Sequence, residues 1–117
     1  MTHPSPLVVL LVEDDDTIRE LTAMLLEGDG HTVHTAPNAD VAEAWLQTGK
    51  ADVLFTDVRM PGTMTGQELA LRHSDMPVLV TSGEHKDQHP WLTGGMRYLA
   101  KPYDRKTLVA ALREVTL

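Results

Sequence analysis

The chain has 117 residues, of which 42% are hydrophobic, so it is long enough for one domain with a buried core and too short for two. Seventeen acidic residues against ten basic ones give a formal charge of −7, and no cluster of cations appears, which argues against direct binding to nucleic acid. The absence of cysteine excludes a disulfide framework, a thiolate zinc site and a thiol nucleophile.

Five short apolar runs alternate with helical patterns along the chain. The predicted strands cover residues 7–12, 31–36, 51–56, 77–81 and 96–100. The first run, LVVLLV, is apolar throughout, which is typical of a central parallel strand covered on both faces. It is also far too short to cross a membrane, and MTHPSP has no signal-peptide pattern, so a cytoplasmic protein without membrane contact is expected.

Four helices are predicted from apolar spacing and capping residues. Asn38 is the expected N-cap of the second helix, and Thr65 with Glu68 forms a possible capping box at the start of the third. The apolar positions expected on one face are Ile18, Leu21 and Leu25 in the first helix and Leu108, Ala111, Leu112 and Val115 in the last. Alternating strands and helices predict an α/β fold with a doubly wound parallel sheet.

The polar stretch between the fourth and fifth strands, residues 84–95, departs from this regular pattern. Pro90 allows only a short helix there. His85 and His89 are four residues apart, but with no third ligand nearby they are predicted to be solvated rather than metal-binding. Trp91 is left with two interpretations, a core residue or an exposed contact for a partner.

Polar side chains follow the ends of four predicted strands. Glu13 and Asp14 come after the first, Asp57 after the third, Ser82 after the fourth and Lys101 after the fifth. The carboxyl ends of parallel strands share one edge of a sheet, where ligands bind in this class of fold. Carboxylates there suit a hard divalent cation, and a carboxylate balanced by a cation and a lysine can accept a phosphoryl group.

Two further acids, Asp15 and Asp16, extend the acidic run after the first strand. Because they stand at the start of a predicted helix, either can cap it or interact with its positive end. They are therefore interpreted as helix-starting residues rather than metal ligands.

Four motifs occur in order at the strand ends: VEDD, TDVRMPG, PVLVTSG and YLAKP. Together they resemble the receiver domain of two-component response regulators over essentially the whole chain. The resemblance implies a flavodoxin-like (βα)5 fold with strand order 2-1-3-4-5. Against that pattern the third and fourth helices are expected to be shortened or irregular. A single receiver domain over residues 1–117, of the stand-alone type without an output domain, is expected.

The resemblance assigns the acidic residues to phosphorylation and metal binding. Asp57 would be the phosphoacceptor, and Asp14 would bind Mg²⁺ (or Mn²⁺) directly. Glu13 would bind the metal either directly or through water. Asp57 and the backbone carbonyl of Arg59 would complete the protein ligands.

It also assigns the residues around the phosphoryl group. Lys101 would pair with phosphoryl oxygens and be joined to Pro102 by a cis peptide bond. Ser82 would hydrogen-bond to the phosphoryl group, and Gly83 would keep its entrance open. Tyr98 would turn inward when Ser82 moves, or it is simply a core residue.

The expected function is a response regulator that accepts a phosphoryl group from a sensor histidine kinase or a histidine phosphotransfer protein and then signals to a downstream protein. It would catalyse its own phosphorylation and dephosphorylation without being an enzyme in the usual sense. Arg59 and Glu84, two residues after Asp57 and Ser82, are expected to face each other across the pocket opening and tune phosphate lifetime.

Two alternatives to a phosphorylated switch stay open from the sequence. The first is a pseudo-receiver, a binding module that signals without phosphorylation. The second is an aspartate-nucleophile phosphohydrolase. Such enzymes need an acid two residues after the nucleophile, where this chain has Arg59, so this alternative is the weaker one.

Overall fold

The computed structural model describes residues 6–59 and 62–116. Three parts of the sequence interpretation lie outside these residues. They are the first five residues, in which no signal peptide is predicted, the Met60–Pro61 part of the TDVRMPG motif, and the C-terminal Leu117.

A five-stranded parallel sheet forms the centre of the fold. The strands are β1 (Val8–Val12), β2 (Thr32–Ala36), β3 (Val53–Asp57), β4 (Val78–Ser82) and β5 (Arg97–Ala100). Their order is β2-β1-β3-β4-β5, and all neighbouring pairs are parallel. The doubly wound, flavodoxin-like fold and its strand order are therefore confirmed. β3 is displaced toward the C-terminus from its predicted range, so that Asp57 is its last residue.

Helices cover both faces of the sheet. They are α1 (Asp16–Gly28), α2 (Ala39–Leu46), α3 (Gly66–Arg72) and α4 (Arg105–Val115). Between β4 and β5 the structure has a 3₁₀ turn of three residues, Lys86–Gln88, in place of a helix, and α3 has only seven residues. The predicted shortening of the third helix, and the predicted irregularity of the helix expected between β4 and β5, are confirmed. Within residues 6–59 and 62–116, no helix has the length and apolar character needed to cross a membrane.

Two apolar layers, one on each face of the sheet, provide the main burial. Alternate residues along β1 and β3 point to opposite faces, as the two-residue period of a strand requires. One layer joins the sheet to α2 and α3 through Leu10, Val12, Ala39, Ala42, Leu54 and Leu69. The other joins it to α1 and α4 through Val9, Leu11, Leu26, Phe55, Leu108 and Leu112.

The buried face predicted for α4 is confirmed. The face predicted for α1 is confirmed at Leu25, which packs against the core, and is wrong at Leu21. In α1 the buried residues are Thr22 and Leu26, while Leu21 is 56% exposed. Thr22 is tolerated against the core because its hydroxyl shares a 2.8 Å hydrogen bond with the hydroxyl of Tyr103. This polar contact, which the sequence pattern does not show, gives Thr22 a place on the buried side of α1, while Leu21 and Met24 stay exposed.

Side-chain caps fix the starts of the helices. Asp15 accepts a hydrogen bond from the Ile18 N–H at 2.9 Å, which confirms it as the N-cap of α1. Asp16 instead pairs with Arg19 at 2.5 Å. Asn38 caps α2, and the predicted capping box at the start of α3 is present.

The sheet register brings the strand ends to one edge. Asp57 at the end of β3 is aligned with Thr81, and Ser82 at the end of β4 is aligned with Ala100. Lys101, the residue after β5, donates its N–H to the Ser82 carbonyl at 2.9 Å. Functional groups following four strands are therefore held together by backbone hydrogen bonds.

Gly66, the first residue of α3, lies against the end of β3. Its N–H donates to the Val58 carbonyl at 3.0 Å. A Cβ at this position would stand 1.7 Å from the Asp57 carbonyl oxygen. Since real Cβ atoms do not approach backbone that closely, only glycine allows α3 to begin beside Asp57.

We expect Gly66→Ala to lower the free energy of unfolding by about 2–4 kcal/mol, since α3 or the end of β3 must move to admit the methyl group. Urea denaturation followed by circular dichroism measures this. Gly95→Ala is the matched control, because a Cβ there meets no atom within 4 Å, and its effect should stay within about 0.5 kcal/mol. Equal effects of the two substitutions would contradict the steric explanation.

Candidate phosphorylation and metal site

Three carboxylates meet where β1 and β3 end. Ligand oxygens of Glu13, Asp14 and Asp57 all lie within 4.8 Å of one another. Glu13 is 2% exposed and Asp57 is 7% exposed, whereas Asp14 is open to solvent. Carboxylates this close, two of them buried, repel one another unless a cation is shared between them.

The Lys101 ammonium supplies one such cation. Its Nζ donates to Glu13 Oε1 at 2.6 Å and to Asp57 Oδ2 at 2.5 Å. Hydrogen bonds between an ammonium and a carboxylate are stronger than those between neutral groups. Lys101 therefore ties the residue after β1 to the last residue of β3 from a position after β5.

The electrostatics of this contact follow from burial and hydrogen bonding. Burial lowers the pKa of Lys101, but hydrogen bonds to Asp57 and Glu13 outweigh it and raise the pKa to about 12. Burial raises the pKa of the Glu13 carboxyl, and hydrogen bonds from Lys101 and the Asp15 N–H oppose that rise. Lys101 is thus protonated at neutral pH and favours the ionised form of Glu13.

Glu13 and Asp14 differ in how their carboxylates are engaged. Both Glu13 oxygens accept hydrogen bonds, Oε1 from Lys101 and Oε2 from the Asp15 N–H at 3.1 Å. Asp14 keeps an exposed carboxylate on the same edge. The three carboxylates are hard oxygen ligands and fit a divalent cation such as Mg²⁺ or Mn²⁺.

Arg59 and Glu84 meet across the opening of this site. Arg59 Nε donates to Glu84 Oε1 at 2.8 Å, and Nη2 donates to Oε2 at 3.1 Å. The hydrogen bond from Arg59 lowers the pKa of Glu84. The Arg59 backbone N–H also donates to Asp57 Oδ1 at 3.3 Å, which fixes the main chain of Arg59 next to Asp57. The Arg59 side chain is 78% exposed.

Ser82 and Tyr98 are connected through the backbone that follows β4. Ser82 is buried, and its Oγ accepts a hydrogen bond from the Glu84 N–H at 2.9 Å. The Tyr98 hydroxyl donates to the Ser82 carbonyl at 3.2 Å and to the Glu84 carbonyl. A movement of Ser82 therefore changes the hydrogen bonds that hold Tyr98.

An apolar cavity of about 520 Å³ lies beside Lys101. The peptide bond from Lys101 to Pro102, which also lines this cavity, is cis, as expected. A Cβ on Gly83 would meet no atom within 4 Å, so the space around this residue is open. The cavity is lined by Ile18, Leu21, Thr22, Leu25, Gly83, Lys101, Pro102 and Tyr103. The outward apolar face of α1 thus borders the candidate site.

His89 lies close to these residues, and the prediction that it is solvated is wrong. His89 is 4% exposed, and its ring centroid is 5.8 Å from those of both Trp91 and Tyr98. Without a helix between β4 and β5, side chains of this segment cover the sheet themselves. The sequence signal that could have indicated the burial of His89 is the adjacent Pro90–Trp91 pair, because Trp91 is half-buried against the core. His85 is exposed, as predicted.

Comparisons with known proteins point to one family. A family model described as the response regulator receiver domain matches residues 9–113. The transcriptional regulatory protein CseB of Streptomyces coelicolor is 35% identical over 113 residues, covering 92% of this chain and 48% of CseB. FixJ of Azorhizobium caulinodans, also a transcriptional regulatory protein, is 37% identical over 123 residues, covering 94% of this chain and 55% of FixJ.

The chain spans about half the length of these two curated relatives. Among solved structures, the chemotaxis response regulator CheY4 of Vibrio cholerae matches with a TM-score of 0.82 and 29% identity, covering 95% of this chain and 99% of CheY4. Because the family model covers most of the chain, and the fold agrees with it, the chain belongs to the receiver domains of two-component response regulators.

Proposed function

We propose that this receiver domain accepts a phosphoryl group on Asp57 and works as a phosphorylation-dependent switch. The observation that carries the proposal is the Lys101 ammonium, held 2.5 Å from Asp57 Oδ2 and 2.6 Å from Glu13 Oε1. A cation in that place neutralises negative charge on a phosphoryl group as it arrives. The Asp14 carboxylate stands on the same edge.

Phosphoryl transfer to Asp57 balances as a direct displacement. A carboxylate oxygen of Asp57 attacks the phosphorus of a phosphohistidine, the O–P bond forms and the P–N bond breaks. The leaving imidazole keeps the electron pair of the broken bond. Lys101 exchanges hydrogen bonds to carboxylates for hydrogen bonds to phosphoryl oxygens.

Asp14, Asp57 and Glu13 would hold the divalent cation, together with the carbonyl of Arg59. When bound, Mg²⁺ supplies charge neutralisation for the phosphoryl oxygens. Asp14 is favoured as a direct ligand since its carboxylate is exposed on the edge. Glu13 is favoured as the residue that orients Lys101, because both of its oxygens already accept hydrogen bonds.

Signalling would begin at Ser82. Ser82 Oγ accepts a hydrogen bond from the Glu84 N–H and can donate its own hydrogen to a phosphoryl oxygen, so a movement of Ser82 toward that oxygen draws Glu84 with it. The loop after β4 then shifts, and Tyr98, which donates to two carbonyls of that loop, shifts with it. A new charge at Asp57 thus biases a two-state packing element.

The proposed phosphodonor is a sensor histidine kinase or a histidine phosphotransfer protein. Its phosphohistidine must reach Asp57, so the donor must cover the surface next to Lys101. The apolar side chains of Ile18, Leu21 and Leu25 on α1 border this surface, and a partner that docks there would bury them. The downstream partner, the stand-alone organisation and the cytoplasmic location stay predictions.

Receiver domains are signalling modules and are generally not classed as enzymes, and this chain is proposed to act in the same way. The phosphohydrolase alternative is disfavoured because Arg59, already paired with Glu84, stands where an acid would be needed. The pseudo-receiver alternative is disfavoured because Asp57 is bound to Lys101 and because Ser82 ends the neighbouring strand β4. The first experiment below separates the switch from both alternatives.

With Mg²⁺ and acetyl phosphate, we expect the protein to gain one phosphoryl group, observed by intact mass spectrometry. Asp57→Asn should gain none, because the amide is a poor nucleophile. Beryllofluoride, a phosphoryl mimic, should shift the thermal midpoint of wild type and not of Asp57→Asn. No metal-dependent change in wild type would support the pseudo-receiver, and rapid turnover of a phosphoester would support the hydrolase.

We expect Asp14→Asn to weaken Mg²⁺ binding by about tenfold or more, since a direct carboxylate ligand is lost. A Mg²⁺ titration followed by amide NMR shifts measures the dissociation constant. Asp16→Asn removes the same charge three positions from Glu13 and should change binding by less than about twofold, because Asp16 pairs with Arg19. Similar losses in both variants would mean that general charge, not ligation, attracts the cation.

Arg59 and Glu84 should change phosphate lifetime in opposite directions. Arg59→Ala removes a cation that can cover the phosphoryl group and should shorten the lifetime by about threefold or more. Glu84→Ala frees Arg59 from its ion pair and should lengthen it. Dephosphorylation is timed by mass spectrometry after removal of acetyl phosphate, with exposed Arg113→Ala as the control. Unchanged lifetimes in both variants would end the hypothesis.

A further inference from the structure

His89 presents a buried nitrogen whose hydrogen bonding is incomplete. Its side chain is 4% exposed, and its Nε2 has no hydrogen-bond partner among the residues that the structure describes. Burying a polar group without a partner is costly, so such a group in a folded protein calls for an explanation. The carboxylate oxygen Glu84 Oε1 lies 3.8 Å from this Nε2, just beyond hydrogen-bond distance.

Glu84 stands between two possible donors. On one side it binds the Arg59 guanidinium with both oxygens, at 2.8 and 3.1 Å. On the other side is His89 Nε2. Oε1 is the oxygen nearest to both donors, so a shift of Glu84 by about 1 Å toward His89 replaces one hydrogen bond by the other.

A phosphoryl group on Asp57 would change the balance between these donors. The Arg59 backbone N–H already donates to Asp57 Oδ1, so the exposed Arg59 side chain extends from a main chain that lies next to the acceptor. A doubly negative group there attracts Arg59 more strongly than a single carboxylate does. When Arg59 turns to the phosphoryl group, Glu84 loses both of its hydrogen bonds.

We propose that His89 is a positioning residue that takes over the Glu84 carboxylate when Arg59 leaves it for a phosphoryl group on Asp57. The proposal rests on phosphorylation of Asp57 as the function of this site. A hydrogen bond from His89 Nε2 gives the Glu84 carboxylate a new partner. Glu84 then competes less strongly with the phosphoryl group for Arg59. His89 thereby prolongs the contact between Arg59 and the phosphoryl group.

Contacts of the His89 ring link this exchange to the switch. The ring packs on Tyr98 and Trp91, and Tyr98 donates its hydroxyl to the Glu84 carbonyl. Glu84 is also the residue whose N–H hydrogen-bonds to Ser82 Oγ. The exchange at the Glu84 carboxylate therefore takes place on the residue whose backbone bonds to both Ser82 and Tyr98.

Phosphate lifetime tests the exchange. His89→Leu should shorten the lifetime by about threefold or more, because Glu84 then keeps Arg59. His89→Gln, whose amide can also donate to Glu84, should restore most of the lifetime. In a Glu84→Gln background, His89→Leu should have no further effect, since the carboxylate for which the two donors compete is gone. A merely structural role would shorten the lifetime in both backgrounds.

NMR of the wild-type protein decides the matter if His89→Leu does not fold. Adding Mg²⁺ and beryllofluoride should shift the His89 Nε2 resonance to that of a hydrogen-bonded donor and slow its proton exchange. In Glu84→Ala, which has no side-chain acceptor, this change should be lost. An unchanged Nε2 resonance in wild type that does bind beryllofluoride at Asp57 overturns the His89 proposal alone. Wild type that does not respond to beryllofluoride at all overturns the proposed function instead.

Discussion

One ammonium group between two buried carboxylates is the interaction on which the site depends. Glu13 and Asp57 come from different strands, and their proximity is tolerable because Lys101 binds both. The three residues follow or end β1, β3 and β5, so this contact requires all three strands in parallel register. The same ammonium can also neutralise a negatively charged phosphoryl group, since Lys101 can transfer its hydrogen bonds from carboxylate to phosphoryl oxygens.

The segment between β4 and β5 shows how a missing helix changes the surroundings of that site. A 3₁₀ turn of three residues replaces the helix, and His89, Trp91 and Tyr98 pack together over the sheet. Glu84, at the start of this segment, bonds to Arg59 through its side chain and to Ser82 and Tyr98 through its backbone. The opening of the site and the surface beyond β4 are therefore mechanically connected through one residue.

Most of the fold and of the site could be predicted from the sequence. Continuous apolar runs indicated parallel strands, and polar residues after each run indicated the shared edge, because both signals are local in the chain. The roles expected for Asp57, Asp14 and Lys101 were inferred from the resemblance to receiver domains. Two predictions, a core-facing Leu21 and a solvated His89, were wrong for the same reason: the burial of neither residue is set by residues near it in sequence. Thr22 faces the core through Tyr103, and His89 is buried among the rings of Tyr98 and Trp91.

By itself, then, the sequence determined the order of strands and helices, the helix caps and the set of charged residues delivered to one edge of the sheet. Only the tertiary structure decided which atoms of these groups meet and at what distance. Lys101 binds Glu13 and Asp57, which are 88 and 44 positions away, and the expected approach of Arg59 to Glu84 consists of two hydrogen bonds. Such pairing depends on distances of a few tenths of an ångström between packed elements, which residue type and spacing do not specify.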